Sequence, residues 1–304
     1  MIVSGEVSAA IAKGGAVVAL ESTLIAHGLP WPANLETARD SEAAVRGSDA
    51  VPATIAVIDG VTRIGLDEGE LRRLAEAPPG EVLKASRRDL ASAIARGRSA
   101  ATTVSATLRL ARMAGIGAMA TGGIGGVHPD AARSFDVSND LDELARADGM
   151  ALVCSGAKSI LDLPATLELL ETLGVPVVGY GTDTLPGFLV ASTGLPLPGR
   201  VDTAGQAAAM VRAHRGLGLP GAIVFAQPPP ADVAIDPEAM ARALESAHRD
   251  AREAGISGPS TTPFLLDRIR RWTDGQALVA NRALIVANAR LAGELATALA
   301  SDPA

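Results

Sequence analysis

Lysine is nearly absent from this chain of 304 residues: Lys13, Lys84 and Lys158 stand against 24 arginines. With arginine in almost every basic position, a retained lysine points to chemistry that arginine cannot do. A desolvated lysine loses its proton and attacks a carbonyl as a free amine, whereas guanidinium stays protonated. Aromatic residues make up only 2% of the chain and the net charge is -7. There is thus neither a stacking platform nor a basic footprint for nucleic acid. The single cysteine, Cys154, excludes an internal disulfide and fits a reducing compartment. No signal-peptide pattern opens the chain, and no apolar run approaches the ~18 residues of a membrane span. These absences together lead to the expectation of a cytoplasmic protein with no membrane association.

Apolar residues are plentiful, at 48%, enough to bury a large core. Short β-branched or small-residue runs at 16–20, 54–59, 116–121, 151–155, 175–180 and 221–226 read as strands. Amphipathic stretches at 35–47, 68–77, 87–97, 105–114, 140–147, 163–173 and 203–216 read as helices, and 236–253, 262–273 and 276–300 close the chain with helix alone. This alternation predicts an α/β fold: a single domain over 1–304, with a mixed, mostly parallel sheet sandwiched by helices and a helical C-terminal layer. Ligands of such sheets sit beyond the carboxyl ends of the strands, so the residues after each strand carry the functional reading.

After the first strand, ALESTLIAHGLP places Glu21 at the end of an apolar run, where a carboxylate has a raised pKa and suits a general acid. His27 follows as a second polar group or a satisfied turn histidine, and Asn34 as a group that could merely cap the next helix. In VLKASRRDL, Lys84 precedes a helix start at Ser86, a natural place to hold an anion. Thr102, Thr103 and Ser105 are either caps or ligand contacts. The glycines of ATGGIGGVH allow close backbone approach to a ligand, yet His128 stands where a dinucleotide fingerprint needs its third spaced glycine. In FDVSND, Asp136, Ser138 and Asp140 alternate onto one face if the segment is extended and could hold a hard divalent ion; the competing reading is a helix cap. VCSGAKSILD leaves Lys158 in a small-residue loop just past a strand, as the candidate nucleophile. Asn288, in an apolar helix, is either a hydrogen-bond hub or a ligand contact. Lys13 reads as a surface residue.

Taken in order, ALESTLIAHGLP, ATGGIGGVH, FDVSNDL, VCSGAKSILD, TPFLL and NARLAGELA resemble the pseudouridine-5'-phosphate glycosidase, or indigoidine synthase A, family from about residue 5 to 300. The resemblance implies cleavage of the carbon–carbon bond of pseudouridine 5'-phosphate to uracil and ribose 5-phosphate, by a manganese-dependent homotrimer. It implies Lys158 as covalent nucleophile, Glu21 as proton donor and Asp136 as the Mn2+-linked carboxylate. Lys84, Thr103, Val104, Thr121, His128, Ser138, Asn139, Asp140 and Asn288 are implied as the substrate pocket. Three positions depart from the family pattern: Pro259 stands in place of Lys, Gln227 in place of Asn and Leu189 in place of an aromatic. Two other readings remain open: a Schiff-base aldolase acting on a sugar phosphate, and a non-catalytic sugar-phosphate or nucleotide-binding protein.

Overall fold

The computed structural model of the chain describes residues 1–256 and 261–301, except the side chains of Thr261, Thr262, Pro263 and Leu266. Eleven strands form the sheet: β1 (Ile2–Val3), β2 (Val17–Leu20), β3 (Val51–Ile58), β4 (Val61–Ile64), β5 (Leu83–Ala85), β6 (Ala100–Thr102), β7 (Ala118–Ala120), β8 (Ala151–Cys154), β9 (Val177–Tyr180), β10 (Arg200–Val201) and β11 (Ile223–Ala226). Six of these are the expected strands. Of the other five, β1, β4, β5 and β10 carry exposed or half-exposed residues that interrupt the apolar run, and β6 is three residues of small side chains.

The main path runs β1-β4-β3-β2-β7-β8-β11-β9-β10, with β6 bridging β3 and β5. All pairs are parallel except β3 with β4 and β3 with β6, so the sheet is mixed and mostly parallel. Side chains alternate across it. Val18, Leu20, Ala120, Val153 and Phe225 face the helices Ala33–Arg46, Ala204–Gly216 and Gln276–Ala300 through Val45, Val211 and Leu295. Val17, Ala19, Met119, Leu152 and Val224 face the opposite layer, which supplies Leu108, Leu144 and Leu170. Because both faces are covered, the strands read as near-continuous apolar runs.

One expectation is corrected here. The helix Gln276–Ala300 is long and apolar enough, by length and composition, to cross a membrane. Half of that stretch is buried inside the molecule, and the helix packs on β2, β7 and β8, so its apolarity is that of a core helix. Asn281, Arg282, Asn288 and Arg290 interrupt its apolar sequence.

The connections set up the site. From β2 the chain passes through the helix Ala33–Arg46 to β3 on one side, whereas β7 leads to β8 on the other. The strand order therefore reverses between β2 and β7, and a crevice opens beyond their carboxyl ends.

Candidate active site

Register determines what meets in that crevice. Leu20 pairs with Ala120, so the next residues, Glu21 and Thr121, emerge side by side, and the Thr121 hydroxyl donates a hydrogen bond to Glu21 Oε1. Glu21 is only 9% exposed, and burial pushes its pKa up against the opposing pull of Lys158, the Thr121 hydroxyl and Lys84. A carboxyl whose protonated form is favoured by burial is suited to give a proton.

Lys158 arrives from the exit of β8. Its loop is bound to the β7 exit by Ile124 N–H donating to Gly156 O at 3.1 Å and Lys158 N–H donating to Ile124 O at 3.1 Å. Lys84 arrives on β5, next to the bridging strand β6. Lys84 is exposed by surface area, yet the surrounding protein desolvates its ammonium; that and the nearby Lys158 charge lower its pKa, with Glu21 and Asp140 opposing. His27 also reaches solvent, and partial burial lowers its pKa, with Lys84 adding to the effect. Glu21, Lys84, Lys158 and His27 line one cleft of about 200 Å³ together with Thr23, Phe188 and Asn281. A second cavity of about 400 Å³ adjoins it, sharing His27, Gly28, Leu29, Phe188 and Asn281.

The other expected residues fall into three places around this cleft. Asp140 is buried and accepts from Ser105 N–H at 2.9 Å and Gly125 N–H at 3.0 Å, which ties the start of the helix Val104–Met113 to the glycine loop. Thr103 lies beside it, within 3.1 Å of the Ser105 hydroxyl, and Val104 is buried at the first turn of that helix. Ser138 caps the helix Asn139–Leu144 by accepting from Asp140 N–H at 3.2 Å. Asp140 therefore sits within the helical turn, and the alternation of Asp136, Ser138 and Asp140 along one extended face does not occur. Asp136 and His128 lie in the outer loop, joined by His128 N–H donating to Asp136 O at 3.1 Å.

Asn288 is fully buried, and its amide donates to Thr121 O at 2.9 Å and lies 3.1 Å from the Ser155 hydroxyl. Of its two readings the geometry is that of the hub, supporting the Thr121 loop from behind. Asn34, which could have been a cap, instead donates to Ile25 O at 2.7 Å and Ala75 O at 2.9 Å, while Pro32 holds the cap position.

The glycine loop is also explained differently. A β-carbon at Gly123 would come within 2.7 Å of the Phe188 ring, and one at Gly125 would collide with the Ser138 side chain. The close approach these glycines permit is by neighbouring protein at both positions, and Gly123 also lines the cleft.

Sequence reading missed Thr23, Phe188 and Asn281. Thr23 Oγ1 and Asn281 Oδ1 are buried in the cleft wall without hydrogen-bond partners among the described residues. Asn281 had a signal: it precedes Asn288 by seven residues, two helical turns, and so shares its face. Phe188 had none, because its placement depends on a left-handed backbone at φ 63°.

Among the described residues there is no group of three or more His, Cys, Asp or Glu side chains that could hold an ion. Asp136 is a lone carboxylate, so the protein's own side chains do not build a cage there. Cys154 is fully buried and its thiol is pushed up to about 12 by desolvation, which removes it as a nucleophile or ligand. Among the departing positions, Leu189 lines the larger cavity and Gln227 follows β11 with Oε1 buried and unpartnered. Pro259 lies outside the described residues.

Comparison with known proteins covers almost the whole chain. The family described as "Indigoidine synthase A like protein" matches residues 6–298. The pseudouridine-5'-phosphate glycosidase of Herpetosiphon aurantiacus is 52% identical over 299 residues, 98% of each chain. That of Paracoccus denitrificans is 51% identical over 298 residues, also 98% of each chain. Among solved structures, a prealnumycin C-glycosynthase in complex with ribulose 5-phosphate superposes with a TM-score of 0.91 at 38% identity, over 99% of this chain and 97% of the other. An indigoidine synthase A-like protein from Thermotoga maritima gives a TM-score of 0.87 at 36% identity, over 95% and 94%.

Proposed function

Because the chain belongs to the indigoidine synthase A-like family, we propose that it reversibly cleaves the carbon–carbon glycosidic bond of pseudouridine 5'-phosphate, giving uracil and ribose 5-phosphate. The observation that carries this reading is the meeting of a buried, protonation-prone Glu21 with Lys158 and Lys84 in one cleft at the sheet's switch point.

A C-glycoside has no heteroatom at the scissile bond, so the paired carboxylates of ordinary glycosidases have nothing there to protonate. An amine solves the problem. Glu21 protonates the ring oxygen as Lys158 Nζ bonds to C1', which opens the ribose; transfer of a proton from that nitrogen back to Glu21 restores a free electron pair on nitrogen and recharges the acid. The pair then forms the C1'=N bond as the bond from C1' to uracil C5 breaks and Glu21 delivers a proton to C5. Water adds to the imine, C1'–N cleaves, and ribose 5-phosphate and free lysine return; water is the only co-reactant consumed. Lys84 is the cation available for the phosphate. Asp140 is spent on backbone amides, so its contribution is to hold the loop and set the local charge.

If manganese binds, Asp136 is the carboxylate that would hold it, and the ion would supply positive charge for the substrate phosphate. No step above runs through it. A homotrimer is part of the same reading, and sedimentation tests it.

The deciding experiment is uracil release from pseudouridine 5'-phosphate, with and without chelator, paired with borohydride treatment in the presence of ribose 5-phosphate. Uracil release and a sugar-phosphate mass on Lys158 are expected. A labelled Lys84 with unlabelled Lys158 overturns the assignment of roles. An adduct without uracil release favours the aldolase, and survival of function in Lys158→Arg favours the binding protein.

A further inference from the structure

Beside Glu21, between the sheet and the helix Ala33–Arg46, lies a small cavity of about 10 Å³. It shares Glu21, Leu24 and Ile285 with the cleft and is otherwise lined by Ser41, Thr54 and Thr121 among apolar groups. That volume is the room of about one water, and a lone water needs two or more polar partners, which these side chains supply. The arrangement follows from register: Leu20 pairs with Thr54 across β2 and β3, so Thr54 stands one step back from Glu21 on the neighbouring strand. The Thr54 hydroxyl in turn donates to Glu42 Oε1 at 2.6 Å. Glu42 lies on the helix Ala33–Arg46, partly open to solvent.

We propose that a single water in this void joins Glu21 to Thr54 and Glu42, forming a proton path from the buried acid to the helix Ala33–Arg46. The inference rests on Glu21 as proton donor. With substrate filling the cleft, Glu21 is covered on its reacting side, yet it must gain and lose protons between ring opening, bond cleavage and imine hydrolysis. Outward transfer moves the Glu21 proton to the water, a water proton to Thr54 Oγ1 and the Thr54 proton to Glu42. One carboxyl is deprotonated, the other is protonated and no other bond changes; inward transfer is the reverse. The hydroxyl of Thr54 already points its hydrogen toward Glu42. The charges acting on Glu42 are Arg46, Glu6 and Glu68, and those acting on Glu21 are Lys158, Lys84 and Asp140. Burial pushes the pKa of both carboxyls up, so the shift has the same direction at the two ends of the path.

Two measurements test the path. A crystal structure of the full chain, at a resolution that shows ordered water, is expected to contain one water within hydrogen-bond reach of both Glu21 and Thr54 Oγ1. A dry void overturns the proposal whatever the substrate. In turnover, Thr54→Val is expected to lower kcat roughly tenfold, a fraction of what general acid catalysis supplies, with KM within twofold. Thr54→Ser is expected to restore most of it, and Glu42→Gln to fall in the same direction as Thr54→Val. Equal losses in Thr54→Val and Thr54→Ser, or no loss in either, overturn the path by making Thr54 a packing residue. Absence of uracil release in the unaltered chain would instead count against the reaction, and the water would still decide the void.

Discussion

Two edges of the same sheet carry cavities of similar size, one of about 200 Å³ at the carboxyl ends and one of about 230 Å³ at the amino ends. Only the first gathers chemistry. The amino edge is lined by Gly14, Gly15, Gly115, Gly117 and apolar side chains such as Ile11, Ile116 and Leu299, with Arg215 as the one charged side chain among its described lining residues; Arg215 Nε donates to Gly149 O at 2.8 Å. The helices Gly5–Ala12, Val104–Met113 and Gln276–Ala300 all end beside it, and their carbonyl ends favour a cation such as Arg215 itself. The carboxyl edge instead receives Glu21, Thr23 and His27 from the β2 exit, Thr121 from β7, Lys158 from β8 and Lys84 from β5. Volume alone does not make a site; strand direction decides which edge collects the loops that do.

The comparison breaks most visibly at Lys158. Lys158→Ala should abolish the borohydride-trapped adduct and lower uracil release by at least about a thousandfold, as loss of a covalent nucleophile does; residual adduct by intact-mass measurement would move the nucleophile elsewhere. Glu21→Gln should cost roughly 10²–10⁴ in kcat, with the Lys158 adduct from ribose 5-phosphate still detectable. Asn288→Ala should destabilise the fold by about 1–3 kcal/mol, because Thr121 O and the Ser155 hydroxyl lose their partner, read as a shift in urea midpoint at constant m-value.

Glu21 also has a pH signature. Its folded pKa lies above the ordinary 4.5, so its contribution to stability is fully present below about 4.5 and is lost as pH rises through the higher folded value. Urea midpoints of the wild type and Glu21→Gln, measured from about pH 4 to 8, should therefore diverge upward in that window in favour of Gln; a parallel pair of curves would deny the buried carboxyl. The smallest effect belongs to the other edge: Arg215→Ala should leave kcat/KM within about twofold, and a larger loss would erase the distinction between the edges.

The central strands were legible because each is four or more residues of buried apolar sequence or flanked by such residues, and the long helices because their periodicity survives ten or more residues. Glu21, Lys84 and Lys158 were legible for a different reason: a charge at the end of an apolar run is costly enough to need explanation. Thr23 and Phe188 were not, since a threonine or phenylalanine is unremarkable in sequence and becomes part of the wall only through the fold. FDVSND misled because alternation was read across a segment that turns into helix at Asn139. The void beside Glu21 left no trace in the sequence at all, for it is made by register between β2 and β3.

Gly125 carries one last consequence. The space its missing β-carbon leaves is already filled by Ser138, which also caps the following helix. A mutation at either position is therefore conditional on the other: gaining a side chain at 125 evicts the cap, and enlarging 138 presses on the loop. Divergence in this family should cross such positions in pairs, so that their substitution histories are correlated even though neither residue performs a chemical step.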